Sequence, residues 1–239
     1  RCRGHTRRVR GGAGRVGVRG RCHPLQVAGA DTHEVNNQAP PLGGYKVVSA
    51  DPARLEGLEK WGNEQEHSRL KALGDLAGSV EAQTWGDQAD RNIPVLQTHS
   101  PQGDRIDEVD YHPAWHLLMS TAVSNGLTAE PWTRPAGTGA HVRRAVGFVA
   151  WSQVEAGHMC PVSMSYAAVP AIQANPDLAG TATPLPASTE YDFWLRPNAA
   201  KTGVIAGMGM TEKQGGSDRA SNKTIAVRGP GGPVDADQT

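Results

Sequence analysis

The chain has 239 residues, 38% of them hydrophobic and 5% aromatic, with Gly 29 and Pro 17. A chain of this length can bury about 70% of its unfolded surface, yet so low an apolar fraction confines the core to selected helices. Twenty-four Lys+Arg balance twenty-four Asp+Glu, no apolar run reaches the roughly 18 to 20 residues of a membrane span, and Cys2, Cys22 and Cys160 are too few and scattered for a disulfide framework or a zinc site.

The neutral balance conceals an asymmetry. Residues 1 to 22 carry Arg1, Arg3, Arg7, Arg8, Arg10, Arg15, Arg19 and Arg21 without an acid, so the rest of the chain is net acidic. An Arg/Gly segment cannot offset its ordering entropy by apolar burial and is expected to be disordered over 1–32. Two origins stay open for it: an arm for nucleic acid, or sequence read out of frame. No signal-peptide apolar region is present, and the chain reads as cytoplasmic.

Structured character begins near residue 33. Asn36 to Tyr45, with Pro40, Pro41, Gly43 and Gly44, reads as an extended segment lying across a surface. Ser49 or Asp51, followed by Pro52, starts a helix with Leu55 and Leu58 on one face. A second helix is expected to carry Leu70, Leu73, Ala77 and Val80 in one stripe, followed by a loop containing Pro94, Pro101 and Gly103.

Pro113 then opens a helix with Trp115, Leu118, Met119 and Ala122 on one face, stopped by Asn125-Gly126. His112 and His116 read as capping or packing residues rather than zinc ligands, because no Glu or further His follows in a zinc-like pattern. The next helix, about Ala140 to Ala156, aligns Val142, Ala145, Val146 and Val149. A further helix from Pro161 aligns Met164, Ala168 and Ile172 and ends near Asn175-Pro176. Cys160 reads as a small buried helix residue. These helices predict a bundle-like layer.

After a Pro/Thr/Ala loop around 177–190 the period changes to two. Over Thr202 to Met210, Val204, Ala206, Met208 and Met210 alternate with Ile205, Gly207 and Gly209, which predicts a strand whose glycine side is bare. Beyond it, Thr211 and Ser217 supply hydroxyls, while Gly215 and Gly216 free the backbone to present N–H groups to phosphates or the polar edge of a nucleotide. The run lacks the Gly-Lys-Ser/Thr of a P-loop and the third glycine of a Rossmann turn. A Gly-rich turn after an edge strand is the plain alternative, and composition does not decide between the two.

The nine residues Met210-Thr211-Glu212-Lys213-Gln214-Gly215-Gly216-Ser217-Asp218 resemble the Thr-Glu-x-x-x-Gly-Ser-Asp signature of FAD-dependent acyl-CoA dehydrogenases. Together with Gln153-Val154-Glu155-Ala156-Gly157-His158, Tyr111-His112-Pro113-Ala114-Trp115-His116 and Asn37-Gln38-Ala39-Pro40-Pro41-Leu42, the chain resembles the AidB-type branch, the adaptive-response proteins of DNA-alkylation stress, over roughly residues 33 to 224. Lys213-Gln214 in place of the Pro-Gly of many members favours that branch and departs from a standard acyl-CoA pocket.

The resemblance implies a mainly α fold: a helical N-terminal domain over 33–201, the first strand of a middle β domain over 202–226, and an unstructured end over 227–239 that reads as a truncation or a second frame change. It implies FAD as cofactor, with a binding set of Met208, Gly209, Met210, Thr211, Gly215, Gly216 and Ser217. Met208, Met210 and Thr211 would line the isoalloxazine, and Gly216 and Ser217 would lie toward cofactor or substrate phosphate. It implies no metal, an acyl-CoA-like substrate, a tetramer-like homo-oligomer, and, in the AidB branch, DNA bound through a basic C-terminal surface. In the family a carboxylate removes the substrate α-proton opposite the flavin; that glutamate belongs to a C-terminal domain outside this sequence, so no catalytic residue is assigned. The alternatives are a flavin-carrying, DNA-protective protein with little turnover, or a helical assembly module.

Overall fold

A computed structural model describes residues 36–40, 42–62 and 66–225. The expectations for 1–32 and for 227–239 lie outside the described residues. The chain divides into two units, Arg1–Pro41 and Leu42–Thr239. Of the first, residues 36–40 are irregular and exposed; everything below concerns the second.

Helix α1, Pro52–Trp61, starts as its sequence requires: Asp51 accepts the Arg54 amide at 3.2 Å and Pro52 stands at the first helical position. The single helix expected through Leu70, Leu73, Ala77 and Val80 is two helices, α2 over His67–Ala77 and α3 over Val80–Arg91. The break has two causes. Gly78 lies so close to the Tyr45 carbonyl that an added Cβ would fall on its oxygen, and its own carbonyl accepts the amides of Gly44 and Tyr45. Ser79 then caps α3 by accepting from Ala82 at 3.1 Å, which leaves Val80 exposed.

The loop expected around Pro94 to Gly103 contains an antiparallel hairpin, β1 (Val95–His99) and β2 (Arg105–Asp110), pairing Val95 with Asp110 and Leu96 with Val109. Ser100 donates from its amide to Asp104 O at 2.8 Å, and Gly103 adopts φ +93°. Both strands face solvent almost throughout.

Helix α4, Pro113–Ser124, is capped by His112, whose Nδ1 accepts the Ala114 amide at 3.2 Å. It stops at Asn125-Gly126, where Gly126 takes φ +67°. After a 3-10 turn at Glu130–Thr133 comes α5, Ala140–Trp151, shorter than the expected span to Ala156. Its buried face is Arg143, Gly147, Ala150 and Trp151 rather than the row Val142, Ala145, Val146 and Val149. The helix is turned by an ion pair: Arg143 reaches inward to Glu130, and Val149 is left exposed.

Helix α6, Met159–Gln173, buries Met159, Val162, Ser165 and Val169, one step round from the expected row of Met164, Ala168 and Ile172, which is half-buried. Cys160, expected to be buried, is exposed, because the first turn of α6 sends Met159 inward instead. Pro170 sits inside α6 and lacks the N–H that would reach the Tyr166 carbonyl; the Trp132 indole donates to that oxygen at 2.9 Å. A short helix α7, Pro176–Ala182, occupies part of the expected loop.

The helices pack α3 on α4 and α2 and α1 on α5, around Val48, Leu58, Leu70, Leu73, Leu118, Met119, Leu127, Trp151 and Val162. No helix of the described residues is long and apolar enough to cross a membrane.

His158, just before α6, is fully buried. Its ring stands edge-on to Trp115 and Trp151, and Nδ1 lies 2.8 Å from Glu155 Oε2. A carboxylate can only accept, so Nδ1 carries the proton, and the buried Nε2 has no hydrogen-bond partner among the described residues. Burial holds His158 below its usual 6.5 despite Glu155. Below about pH 6.5 the unfolded chain therefore binds a proton that the native imidazole refuses, and stability falls as pH drops from there toward the folded value. Burial opposes the Glu155 charge, but hydrogen bonds from His158 and Gly157 hold its carboxyl below the ordinary value of 4.5, so its contribution is lost in the same direction at lower pH. The thermal midpoint is expected to decline from about pH 7 to about pH 5, and His158→Gln to flatten that decline. An unchanged slope in the variant would rule His158 out as its source.

Candidate functional site

Among the described residues the predicted strand at Thr202–Met210 is not paired in a sheet. Its alternate amides are taken by other groups. Val204 donates to Leu185 O at 3.3 Å, Ala206 to Ser165 Oγ at 3.0 Å, and Met208 lies against Met164 Sδ at 3.2 Å. The period of two is real in its bonding, with Leu185 and helix α6 supplying acceptors where a neighbouring strand would.

The segment passes from half-buried at Val204–Ala206 to exposed at Gly207–Met210. Met208 and Met210 are 46% and 53% exposed. Built Cβ atoms on Gly207 and Gly209 would meet nothing within 4 Å, so the expected bare face is present.

The turn that follows is closed by Glu212. Its amide donates to Gly215 O at 2.8 Å, and its carboxylate accepts from the Lys223 amide at 2.5 Å, the Thr224 amide at 2.8 Å and the Thr224 hydroxyl. The Thr224 hydroxyl and the Lys223 amide together hold the Glu212 carboxyl below its ordinary value. Asn222 Nδ2 donates to Met210 O at 3.3 Å. Gly215 is buried against the Asn222 side chain, where a Cβ would not fit, and Gly216 lies beside the Thr211 methyl. Thr211 and Ser217 are exposed. The chain thus brings Met208, Gly209, Met210 and Thr211 together on one open ledge, with Gly215, Gly216 and Ser217 on the turn at its end. The sequence showed these residues by their types; it did not show Ser165 and Met164, which hold them from α6.

A cleft of about 630 Å³ opens beside Val204 and Ile205, walled by Tyr111, Trp115, Phe193 and Trp194. At its floor His116 Nδ1 meets the Tyr191 hydroxyl at 3.0 Å. Burial lowers His116, with Asp110 opposing, and raises Tyr191, so the phenol donates and the imidazole stays neutral. Asp192 shapes the rim: its carboxylate accepts from Arg196 at 2.6 Å and from the Trp194 and Thr202 amides, and Arg196 leads in holding it below the usual carboxylate range. Among the described residues no three His, Cys, Asp or Glu side chains are placed to hold a metal ion.

The fold is that of the helical N-terminal domain of acyl-CoA dehydrogenase-like proteins. The chain superposes on Bd2924 in its apo form with a TM-score of 0.65 and 24% identity, covering 82% of this chain and 39% of that one. It superposes on Caenorhabditis elegans ACDH-11 in complex with C11-CoA with a TM-score of 0.60 and 21% identity, covering 81% and 33%. Residues 37–193 match the family described as adaptive response protein AidB N-terminal domain, and the chain belongs to that family. It is 41% identical over 199 residues to the Escherichia coli (strain K12) protein named "Putative acyl-CoA dehydrogenase AidB", a match covering 82% of this chain. It spans 37% of that relative's length.

Proposed function

We propose that this chain is the N-terminal part of an FAD-dependent acyl-CoA dehydrogenase-like protein of the alkylation adaptive response, and that Met208, Gly209, Met210, Thr211, Gly215, Gly216 and Ser217 are its share of the flavin site. The observation that carries the reading is the ledge. Open glycine faces at Gly207 and Gly209 alternate with the exposed Met208 and Met210, and the Thr211 and Ser217 hydroxyls follow.

These residues suit a flavin. A planar apolar ring needs a flat surface without intruding Cβ atoms, its polar edge needs hydroxyl or amide donors, and a phosphate needs freed backbone N–H groups. When bound, FAD supplies the hydride acceptor. The chain's own part is to bind and orient: the methionines cover ring surface, Thr211 directs a hydroxyl to the polar edge, and Glu212 keeps the turn closed through residues 223 and 224. Glu212 is committed to that latch and is no candidate for a base. An acyl-CoA-like substrate is supported by the fold's likeness to ACDH-11, whose structure holds C11-CoA. Alone, the chain is expected neither to dehydrogenate nor to hold FAD stoichiometrically.

The test is a chimera in which this chain replaces the matching 199 residues of the Escherichia coli protein. Gly209→Val introduces a side chain into open space, so its thermal midpoint should stay within the scatter of a surface change, while flavin affinity falls about tenfold or more through lost ring contact. Equal affinity in both forms would remove Gly209 from the site. Acyl-CoA oxidation by the flavin-loaded chimera supports the dehydrogenase reading. Flavin retention without turnover, with salt-dependent duplex binding, supports the DNA-protective reading instead.

A further inference from the structure

We propose that Ser165, with Met164 beside it, is the positioning residue of the cofactor ledge: from helix α6 it fixes the register of Val204–Met210 and so decides that Gly207 and Gly209 present the bare face. The inference rests on the flavin reading for its functional consequence, though not for its structural part.

Ser165 is fully buried in a helix, where a hydroxyl is tolerated only with partners. It has two. The hydroxyl donates to Pro161 O at 2.8 Å, one turn back in the same helix, and that bond fixes the rotamer. With the proton so placed, an oxygen lone pair is left to accept the Ala206 amide at 3.0 Å. The bond joins residues 41 apart in sequence, and it lies at the boundary where the segment changes from half-buried to exposed.

Met164 adds a softer contact two residues further along, its sulfur 3.2 Å from the Met208 amide, and Leu185 O holds Val204 two residues before. Residues 204, 206 and 208 are thereby anchored on one edge. A slip of one residue would exchange the faces of the segment, turning Met208 and Met210 to where the glycines are. Neighbouring strands, which fix register in an ordinary sheet, do not do so here among the described residues. The polar residue on the buried face of α6 is explained by this task.

The test uses the whole 239-residue chain, without flavin, and measures amide exchange by residue. Ser165→Ala is expected to accelerate exchange at Ala206 by about tenfold, the loss of one hydrogen bond that leaves its donor unpaired, with core amides such as Leu118 unchanged. Met164→Leu, close in volume, is expected to accelerate Met208 and leave Ala206 as it was. Val169→Ala, a buried change on the same helix that touches neither contact, serves as control: it should lower global stability without singling out Ala206. Unaltered Ala206 exchange in Ser165→Ala, or acceleration spread evenly over the chain, overturns the pin.

The functional half is read in the chimera. A fall of about tenfold in flavin affinity for Ser165→Ala at normal solubility supports positioning. Full affinity together with accelerated Ala206 exchange overturns it. A wild-type chimera that binds no flavin while the exchange result holds overturns the flavin reading and leaves the pin standing.

Discussion

Arg143→Ala is expected to cost about 3 to 5 kcal/mol of folding stability, because it leaves the Glu130 carboxylate buried without its buried counter-ion. Arg143 and Glu130 are only 4% and 6% exposed, and their paired contact joins α5 to the 3-10 turn after α4. Arg143 Nη1 also donates to Asn125 O at 3.3 Å, tying the ion pair to the helix stop at Gly126. Arg134 takes the other carboxylate oxygen, but it is half exposed and cannot neutralise the site alone. Urea unfolding measures the loss. The double change Arg143→Met with Glu130→Gln should recover part of it, since the charge is removed along with its partner. A loss below about 1 kcal/mol would mean that the pair behaves as a solvated surface bridge.

Trp151→Ala is expected to cost a further class of stability, about 3 to 5 kcal/mol, by opening the centre of the core. The indole is fully buried and donates through Nε1 to Leu118 O at 3.2 Å, so truncation removes packing together with a second hydrogen bond to a carbonyl that α4 also pairs within the helix. The effect should extend toward the cleft: Trp151 stands edge-on to His158, which stands edge-on to Trp115 in the cleft wall. Denaturant midpoints report the stability, and exchange at the α4 amides reports whether the loss is concentrated there. Trp151→Phe, which keeps much of the ring and loses the donor, should cost clearly less. Equal costs for Ala and Phe would assign the effect to the hydrogen bond rather than to volume.

Helix starts were legible wherever a local chemical device makes them. Asp51-Pro52 and His112-Pro113 each satisfy an orphan amide within a few residues, so the sequence alone carries the signal. Faces were less legible. On α5 the inward direction depends on Glu130, thirteen residues earlier than Arg143, and on α6 it depends on Ala206, far later; periodicity sees the apolar rows Val142 to Val149 and Met164 to Ile172 and misses the polar residue whose partner is remote. The break at Gly78 was hidden for a related reason, since the Tyr45 carbonyl that requires it is distant in sequence. The hairpin's turn residues Pro101 and Gly103 were visible, but its strands carry the charges Arg105, Asp107, Glu108 and Asp110 and lack a clean apolar alternation.

The ledge shows the same division. Its residue types and spacing were readable, because a run of glycines, methionines and hydroxyls in period two is local. What holds it was not readable, because the acceptors sit at Leu185 and on α6, remote in sequence. The period of two at 202–210 was legible, but the segment is not a sheet strand among the described residues: its alternate amides are satisfied by Leu185, Ser165 and Met164.

The central claim is that this chain contributes a working half of a flavin site. It is tested most directly by the visible absorbance of the chimera with the Escherichia coli relative, purified in the presence of FAD and shown by its cooperative thermal transition to be folded. The account predicts a yellow protein with about one flavin per protomer, its spectrum resolved from that of free FAD. A folded chimera that is colourless, and that stays so on titration with excess FAD, would contradict it.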